Sequence, residues 1–508
     1  MPGLDTEVEL KLRLLMPAAR QAVFDAPALA ALLTAPPCEE HLETWYFDTA
    51  DGDLQDAGLA YRIRLEDGRW TATVKADEAA GGGLHQRREW NVAIDGPEPR
   101  YEYFRTTEAG PLLADAGGGE PLVPRFSTIF DRRRADVVVD GSRIEAAVDL
   151  GTIFAGGREE AIAEVELELK EGSPAAVLAL GAALVRQVPL AVEPRSKYYR
   201  ALALAGLAEG LDPLVVPPLA PDETAAPGVR TLIAARLGAI FAAYEAFTAD
   251  REAAAAVHRL RVQLRRLRSL LALAKPLVAP ADYERWQGEL GALSQATHRL
   301  READVTDAAW AEMTAACPPL TPPPWLGLML ATERRKLAAE ADEALGQGGL
   351  TATLLAFWAW VADGRSLRQD EALLEDFAAA RLAGWLEELR ANGKEIDLRD
   401  AAALHRLRIE GKRLRYALES LPLADSRRAK VMIARLKALQ DCLGQLHDSL
   451  LAGAAMDGWL RQHASRVVHR DAGLLIGWMA RQGVAATAEF APAWKRFKRA
   501  ARRWQKEL

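Results

Sequence analysis

The chain has 508 residues, half of them apolar, and 64 Lys and Arg against 71 Asp and Glu leave a formal net charge of −7. That length suits about three ordinary domains, each with a real core, and so slight a charge bias announces neither nucleic acid nor membrane. Three distant cysteines, Cys38, Cys317 and Cys442, exclude a cysteine zinc motif and argue for a reducing compartment. The start, MPGLDTEVEL, lacks the basic-then-apolar pattern of a signal peptide. No uninterrupted apolar run approaches the roughly 18 residues needed to span a bilayer, so the expectation is a soluble, cytoplasmic protein.

The first element is TEVELKLRL, in which Glu7, Glu9, Lys11 and Arg13 alternate with Val8, Leu10 and Leu12. Strict alternation is a strand signal, because successive side chains point to opposite faces. The habit recurs along the first 205 residues. Arg62 and Arg64 share a face of YRIRL; Thr71, Thr73 and Lys75 share one in TATVK. Arg87 and Glu89 do so in QRREW, Arg132 and Arg134 in FDRRR, and Glu164, Glu166, Glu168 and Lys170 in AEVELELK. Short strands separated by Gly, Pro and Asp turns predict a closed antiparallel sheet.

Where the charged face goes decides the function. A solvated outside is the bland reading for one strand. Six strands with clustered signs favour a charged interior instead. Carboxylates alternating on one strand repel one another unless a cation sits among them. Oxygen-only donors without local Cys or His favour Mg²⁺ or Mn²⁺ over zinc. Many Arg and Lys facing the same space want phosphates. Together these are the equipment for phosphoryl transfer to water.

GLAEGLDPLVVPPLAPDETAAPG, over 206–228, reads as a Pro-rich linker. From 229 to 508 the chain has helical periodicity and an internal repeat: HRLRVQLRRLR begins at His258 and HRLRIEGKRLR at His405. His258, Arg261, Arg265 and Arg268 fall on one stripe of the first helix, beside a buried stripe of leucines, and His405, Arg408, Lys412 and Arg415 repeat it. No acid interrupts the first stripe, and no aromatic residues interleave with the bases as in single-strand binders, so nucleic acid is not the expected partner. The last segment, WKRFKRAARRWQKEL, adds seven more bases, and no broad apolar face there points to a membrane.

Glu7-x-Glu9-x-Lys11, WYFDT, the Arg62/Arg64 strand, TVK ending at Lys75, EVELELK and RSKYYRA, in that order, resemble the CYTH superfamily of triphosphate tunnel metalloenzymes over residues 4 to 205. The resemblance implies an eight-stranded antiparallel tunnel that binds triphosphate with a divalent metal. Glu166 and Glu168, with Glu164 on the same face, correspond to metal-holding carboxylates, and Glu7 and Glu9 to the pair that orients the attacking water, with or without a second metal. Lys11, Arg62, Arg64, Lys75, Arg87, Arg132, Arg134 and Lys197 correspond to the lining that grips phosphate oxygens. Asp149 resembles the family's strand-end carboxylate.

HRLRVQLRRLR, HRLRIEGKRLRYALE and LGQLHDSL resemble the CHAD domain, an α-helical domain with conserved histidines. This implies an all-α pair of pseudo-symmetric four-helix bundles, about 229–375 and 376–508, with a basic face for inorganic polyphosphate. Its candidates are His258, Arg261, Arg265, Arg268, His405, Arg408, Lys412, Arg415 and His447. Arg301 stands where a partner for His447 is expected, which sets the two copies apart. The fold class expected is therefore α+β in two domains, 1–205 and 229–508. The expected function is an inorganic triphosphatase acting on tripolyphosphate. The alternatives are a nucleoside or thiamine triphosphatase, an adenylate cyclase, or a non-catalytic polyphosphate receptor.

Overall fold

The structure is a computed structural model and describes residues 6–81, 83–208, 219–317, 325–346, 348–461 and 466–506. Residues 209–218 of the expected linker lie outside the described residues. Two compact units emerge: Met1–Pro217 with Leu237–Ala242 and Gly346–Ser366, and Pro218–Arg236 with Ala243–Leu345 and Leu367–Leu508.

In the first unit the alternating runs form β1 (Thr6–Leu14), β2 (Cys38–Asp48), β3 (Leu59–Glu66), β4 (Arg69–Gly81), β5 (Leu84–Ile94), β6 (Val123–Val139), β7 (Ser142–Ala155), β8 (Arg158–Glu171) and the short β9 (Leu190–Val192). Eight of them run β5-β4-β3-β2-β6-β7-β8-β1, all antiparallel, and a β5–β1 pairing closes the barrel. The ninth is an appendix. It pairs with Leu12–Leu14 of β1, beyond the stretch Thr6–Leu10 that pairs with β5.

Period-2 alternation lets both faces of these strands be buried for different reasons. Leu10 and Leu12 of β1 and Val165 and Leu167 of β8 are fully buried on the outer face. Helix α5 (Pro174–Leu184), begun by Ser173 accepting from the Ala175 N–H and by Pro at its first position, lies over them. Gly181 of α5 rests on Leu10, so any Cβ there would collide with it. The other face of α5 packs on α12 (Gly349–Ala362), the apolar helix LTATLLAFWAWV, which therefore belongs to the barrel's unit despite its late position in the chain. Glu9 and Lys11 are also buried, but inward.

Small helices fill the barrel's connections: α1 (Arg20–Asp25), α2 (Pro27–Ala30), α3 (Asp53–Asp56) and α4 (Ala109–Gly117). WYFDT proves to be a structural signature at its end. The buried Asp48 carboxylate accepts N–H bonds from Thr49, Leu54 and Gln55 at 2.8, 2.9 and 3.0 Å, tying β2 to the start of α3. Helix α6 (Lys197–Ala205), capped by Ser196 accepting from Tyr199, carries RSKYYRA.

Beyond the barrel the described chain is helical: α7 (Ala225–Ala249), α8 (Ala254–Leu273), α9 (Pro280–Ala296), α10 (His298–Ala316), α11 (Trp325–Leu345), α13 (Leu374–Asn392), α14 (Ala401–Leu418), α15 (Arg427–Leu460) and α16 (Arg466–Trp504). Helix α7 is long and apolar enough to cross a membrane, yet 56% of its most apolar window is buried, as in a core helix. The repeat places its copies on α8 and α14, which pack together. The copies also differ in the course of their helices. Where α15 runs on through Gly444, the first copy breaks at Thr297 into α9 and α10.

Candidate functional site

The barrel encloses a cavity of about 630 Å³. Glu7, Glu9, Lys11, Arg62, Arg64, Lys75, Arg87, Arg132, Arg134, Glu166, Glu168 and Lys197 all line it, so the strand parity read from the sequence carries these residues into one space. Glu164 is fully buried behind that lining, where Lys197 and Arg200 hold it.

Register explains the arrangement. Lys11 of β1 lies opposite Glu166 of β8, Glu9 opposite Glu168, and Asp149 of β7 opposite both Glu164 and Arg132. Glu166 is the hub. It takes ion pairs from Lys11, from Arg132 and, at 3.0 Å, from Lys197. Asp149 accepts from Arg132 Nε at 2.8 Å and from Lys197 at 2.7 Å. Across the barrel, Lys75 joins Glu7 at 2.6 Å and Glu89 at 2.9 Å, and Arg62 joins Glu89 at 3.1 Å. Arg134 pairs with Glu40 and Glu145. Sequence reading overlooked Arg200 and Glu89 as site residues. Arg200 is three residues after Lys197 on the same face of α6, and Glu89 alternates with Arg87; both spacings were available signals.

Titration separates two groups of acids. Burial opposes ionisation of Glu9, but Lys11 beside it pulls its carboxyl down to about 2. Burial likewise opposes Glu166, and Lys11, Lys197 and Arg132 hold it well below the usual range. Glu7 goes the other way. Burial outweighs Lys75 and, with Glu9, Glu89 and Glu168 nearby, pushes it up to about 7. Glu168 is also raised by burial, against its partner Lys170. The cations respond in kind: Asp149, Glu164 and Glu166 raise Lys197 despite burial, whereas burial with Arg62 and Arg132 lowers Arg64 to about 10.

Two sets of donors suit a hard cation. Oxygens of Asp149, Glu164 and Glu166 lie within 4.8 Å of one another, the one such group of three among the described residues. Those three already meet four bases. Glu7 and Glu168, by contrast, each meet one base, Lys75 and Lys170, and as oxygen donors without sulfur or imidazole they suit Mg²⁺ or Mn²⁺.

On the helical unit the two basic stripes meet. Lys412 of α14 is lowered to about 6 by burial and then by Arg265 of α8, with Arg408 and Arg415 adding to it. His405 Nδ1 and His447 Nε2 lie 3.2 Å apart, with ring centroids at 4.9 Å. Burial and then Arg301 lower His258, as burial and then His447 lower His405. Arg261 turns inward: its Nη1 donates to the Ser294 carbonyl at 2.7 Å and to Thr297 Oγ1 at 2.9 Å, capping the broken end of α9. Arg408, its counterpart, passes over Gly444, which stands at the place of Thr297. Arg268 Nε donates to Gln287 Oε1 at 3.1 Å, so it too is tied to α9.

Known proteins divide along the same line. The CYTH domain family matches residues 5–200 and the CHAD domain family residues 231–457. An inorganic triphosphatase from Haemophilus influenzae is 34% identical over 172 residues, 33% of this chain and 46% of that protein. Among solved structures, the CHAD domain from the plant Ricinus communis covers 57% of this chain and 97% of its own at 22% identity and a TM-score of 0.46. An adenylyl cyclase candidate from Hippeastrum with a dominant triphosphatase activity covers 41% of this chain and 99% of its own, at 23% identity and a TM-score of 0.31.

Proposed function

This chain belongs to the CYTH family in its barrel and to the CHAD family in its helices, and from that premise we propose a metal-dependent inorganic triphosphatase that cleaves tripolyphosphate to pyrophosphate and phosphate. Its helical half binds inorganic polyphosphate, and its three free thiols suit a cytoplasmic setting. The carrying observation is the single cavity in which Lys11, Arg62, Arg64, Lys75, Arg87, Arg132 and Lys197 face Glu7, Glu9 and Glu168. A receptor for phosphate chains alone gains nothing from carboxylates aimed at its ligand.

Glu7, Glu9, Glu166 and Glu168 would hold the divalent ion, which would supply positive charge against the charge developing on the phosphate. The remaining work falls to the chain's own groups. Arginines and lysines on several strands grip a linear phosphate chain and fix its direction, since a rigid barrel gives their side chains little room to follow a displaced ligand. Glu9, ionised at any physiological pH, accepts a hydrogen bond from the attacking water and aims its lone pair at phosphorus. Phosphoryl transfer asks for positioning and charge more than for covalent participation.

The test is phosphate release by the full chain from tripolyphosphate, ATP, thiamine triphosphate and long-chain polyphosphate, with Mg²⁺, with Mn²⁺ and with EDTA. Rapid tripolyphosphate turnover that EDTA and Glu9→Gln both abolish is the expected result. Faster turnover of ATP or thiamine triphosphate would give the tunnel to an organic substrate, and binding without turnover of any substrate would make the protein a receptor.

A further inference from the structure

Arg64 is held differently from six other bases of the tunnel. Lys11, Lys75, Lys197, Arg62, Arg132 and Arg134 each keep a carboxylate oxygen within 3.1 Å. Arg64 has no ion pair with a carboxylate among the described residues. Its Nε donates to Thr44 Oγ1 at 3.1 Å, and its guanidinium lies 5.9 Å from the centre of the Phe130 ring. Thr44 is directly opposite Arg64 in the β2–β3 ladder and is fully buried; Phe130, on the inward parity of β6, is 1% exposed. The same ring stands 5.7 Å from the Arg132 guanidinium and 4.8 Å from Lys197 Nζ.

A carboxylate could hold Arg64 in the same place, but it would cancel the charge. A hydroxyl oxygen and an aromatic face orient a guanidinium while leaving its charge available, because neither carries a formal charge of its own. Gly151 of β7 lies so close to the root of Phe130 that a Cβ there would collide with the Phe130 Cα and Cβ, so β7 presses on the place from which the ring projects.

We propose that Thr44 and Phe130 are positioning residues that hold Arg64 as an uncompensated anchor for a phosphate group, with the Phe130 ring as a shared floor beneath Arg64, Arg132 and Lys197. The proposal rests on the reading of the tunnel as a phosphate-chain site. It assigns roles to two neutral residues that touch no substrate. Their effect passes through the cations they hold.

The experiment measures tripolyphosphate binding by calorimetry and steady-state kinetics on the full chain, for wild type and for Thr44→Val, Thr44→Ser, Phe130→Leu and Phe130→Tyr. Thr44→Val and Phe130→Leu should each raise Kd and KM about tenfold, the size expected for one hydrogen bond to a charged group or a desolvated cation–π contact, with kcat nearly unchanged. Thr44→Ser and Phe130→Tyr, which keep the hydroxyl and the ring, should restore both constants. Unchanged Kd and KM in the valine and leucine variants overturn the proposal. So does a lowered Tm and kcat at constant KM, which would mark a purely structural role. If wild type binds tripolyphosphate without hydrolysing it, the binding arm still decides; if wild type does not bind it at all, both this inference and the reading of the tunnel fall.

Discussion

The tunnel and the helical surface use the same basic side chains in opposite electrostatic settings. In the tunnel most bases meet acids, so Lys75 and Lys197 hold their protons more tightly than usual despite burial. On the helices burial, with bases meeting one another, lowers Lys412 to about 6. The difference lies in geometry. A closed barrel sets every inward residue opposite others at fixed register, so acid and base can be matched strand by strand. Two helices side by side present one stripe each, and like stripes add. A matched interior largely neutralises its own charge, whereas like stripes keep theirs.

The sharpest way to break this comparison is to remove one acid from the tunnel. Glu166→Gln leaves Lys11, Arg132 and Lys197 short of a partner, and stability should fall by about 3–5 kcal/mol, the usual result of breaking a buried pair. Denaturant unfolding checks it, and triphosphatase activity should vanish in the same variant. The converse change on the helices is Lys412→Met. Removing a base from a cluster of bases should leave stability equal or higher, while retention on a polyphosphate column weakens.

pH then separates the regions by sign. Glu7, raised from 4.5 to about 7, keeps its proton in the folded state after the unfolded chain has lost it. Between those values the native state binds more protons, so this group makes stability fall as pH rises. Lys412, lowered from 10.5 to about 6, does the reverse: the unfolded state binds more protons between those values, so stability rises with pH. Thermal melts of Glu7→Gln should lose the falling component below pH 7, and those of Lys412→Met the rising component above pH 6. With metal present, the stabilisation of wild type should be larger at pH 8 than at pH 5, because the ion competes with the Glu7 proton.

Smaller effects follow for binding. Polyphosphate association at pH 8 should take up a proton at Lys412, visible as a calorimetric enthalpy that changes with the ionisation heat of the buffer. Added salt should weaken that association steeply but change the KM for tripolyphosphate less, since exposed charges are screened more than enclosed ones.

Much of this was legible beforehand, and the reasons are local. ExExK, YRIRL and EVELELK announce charged faces because a strand has a period of two, and no tertiary knowledge is needed to see which residues share one. The basic stripes of α8 and α14 are equally plain from helical spacing. Other features resisted. Arg261 shares the stripe of Arg265, yet it serves the end of α9, because the break at Thr297 leaves carbonyls that need a donor. Asp48 in WYFDT belongs to the backbone of α3, which no spacing rule reveals. The apolar helix α12 reads as part of the helical half and packs instead on α5.

By itself, then, the sequence determined the alternating strands, the charged residues that share a face and the helical stripes, since each depends on residues within a few positions of one another. Only the tertiary structure decided that Glu166 serves three bases, that Arg64 rests on a hydroxyl and a ring, and that the stripes of α8 and α14 meet at Lys412. Those outcomes depend on barrel closure and helix packing, which bring together side chains far apart in the chain. Charge interactions act through space, and their sign and size are set by the distances that folding creates.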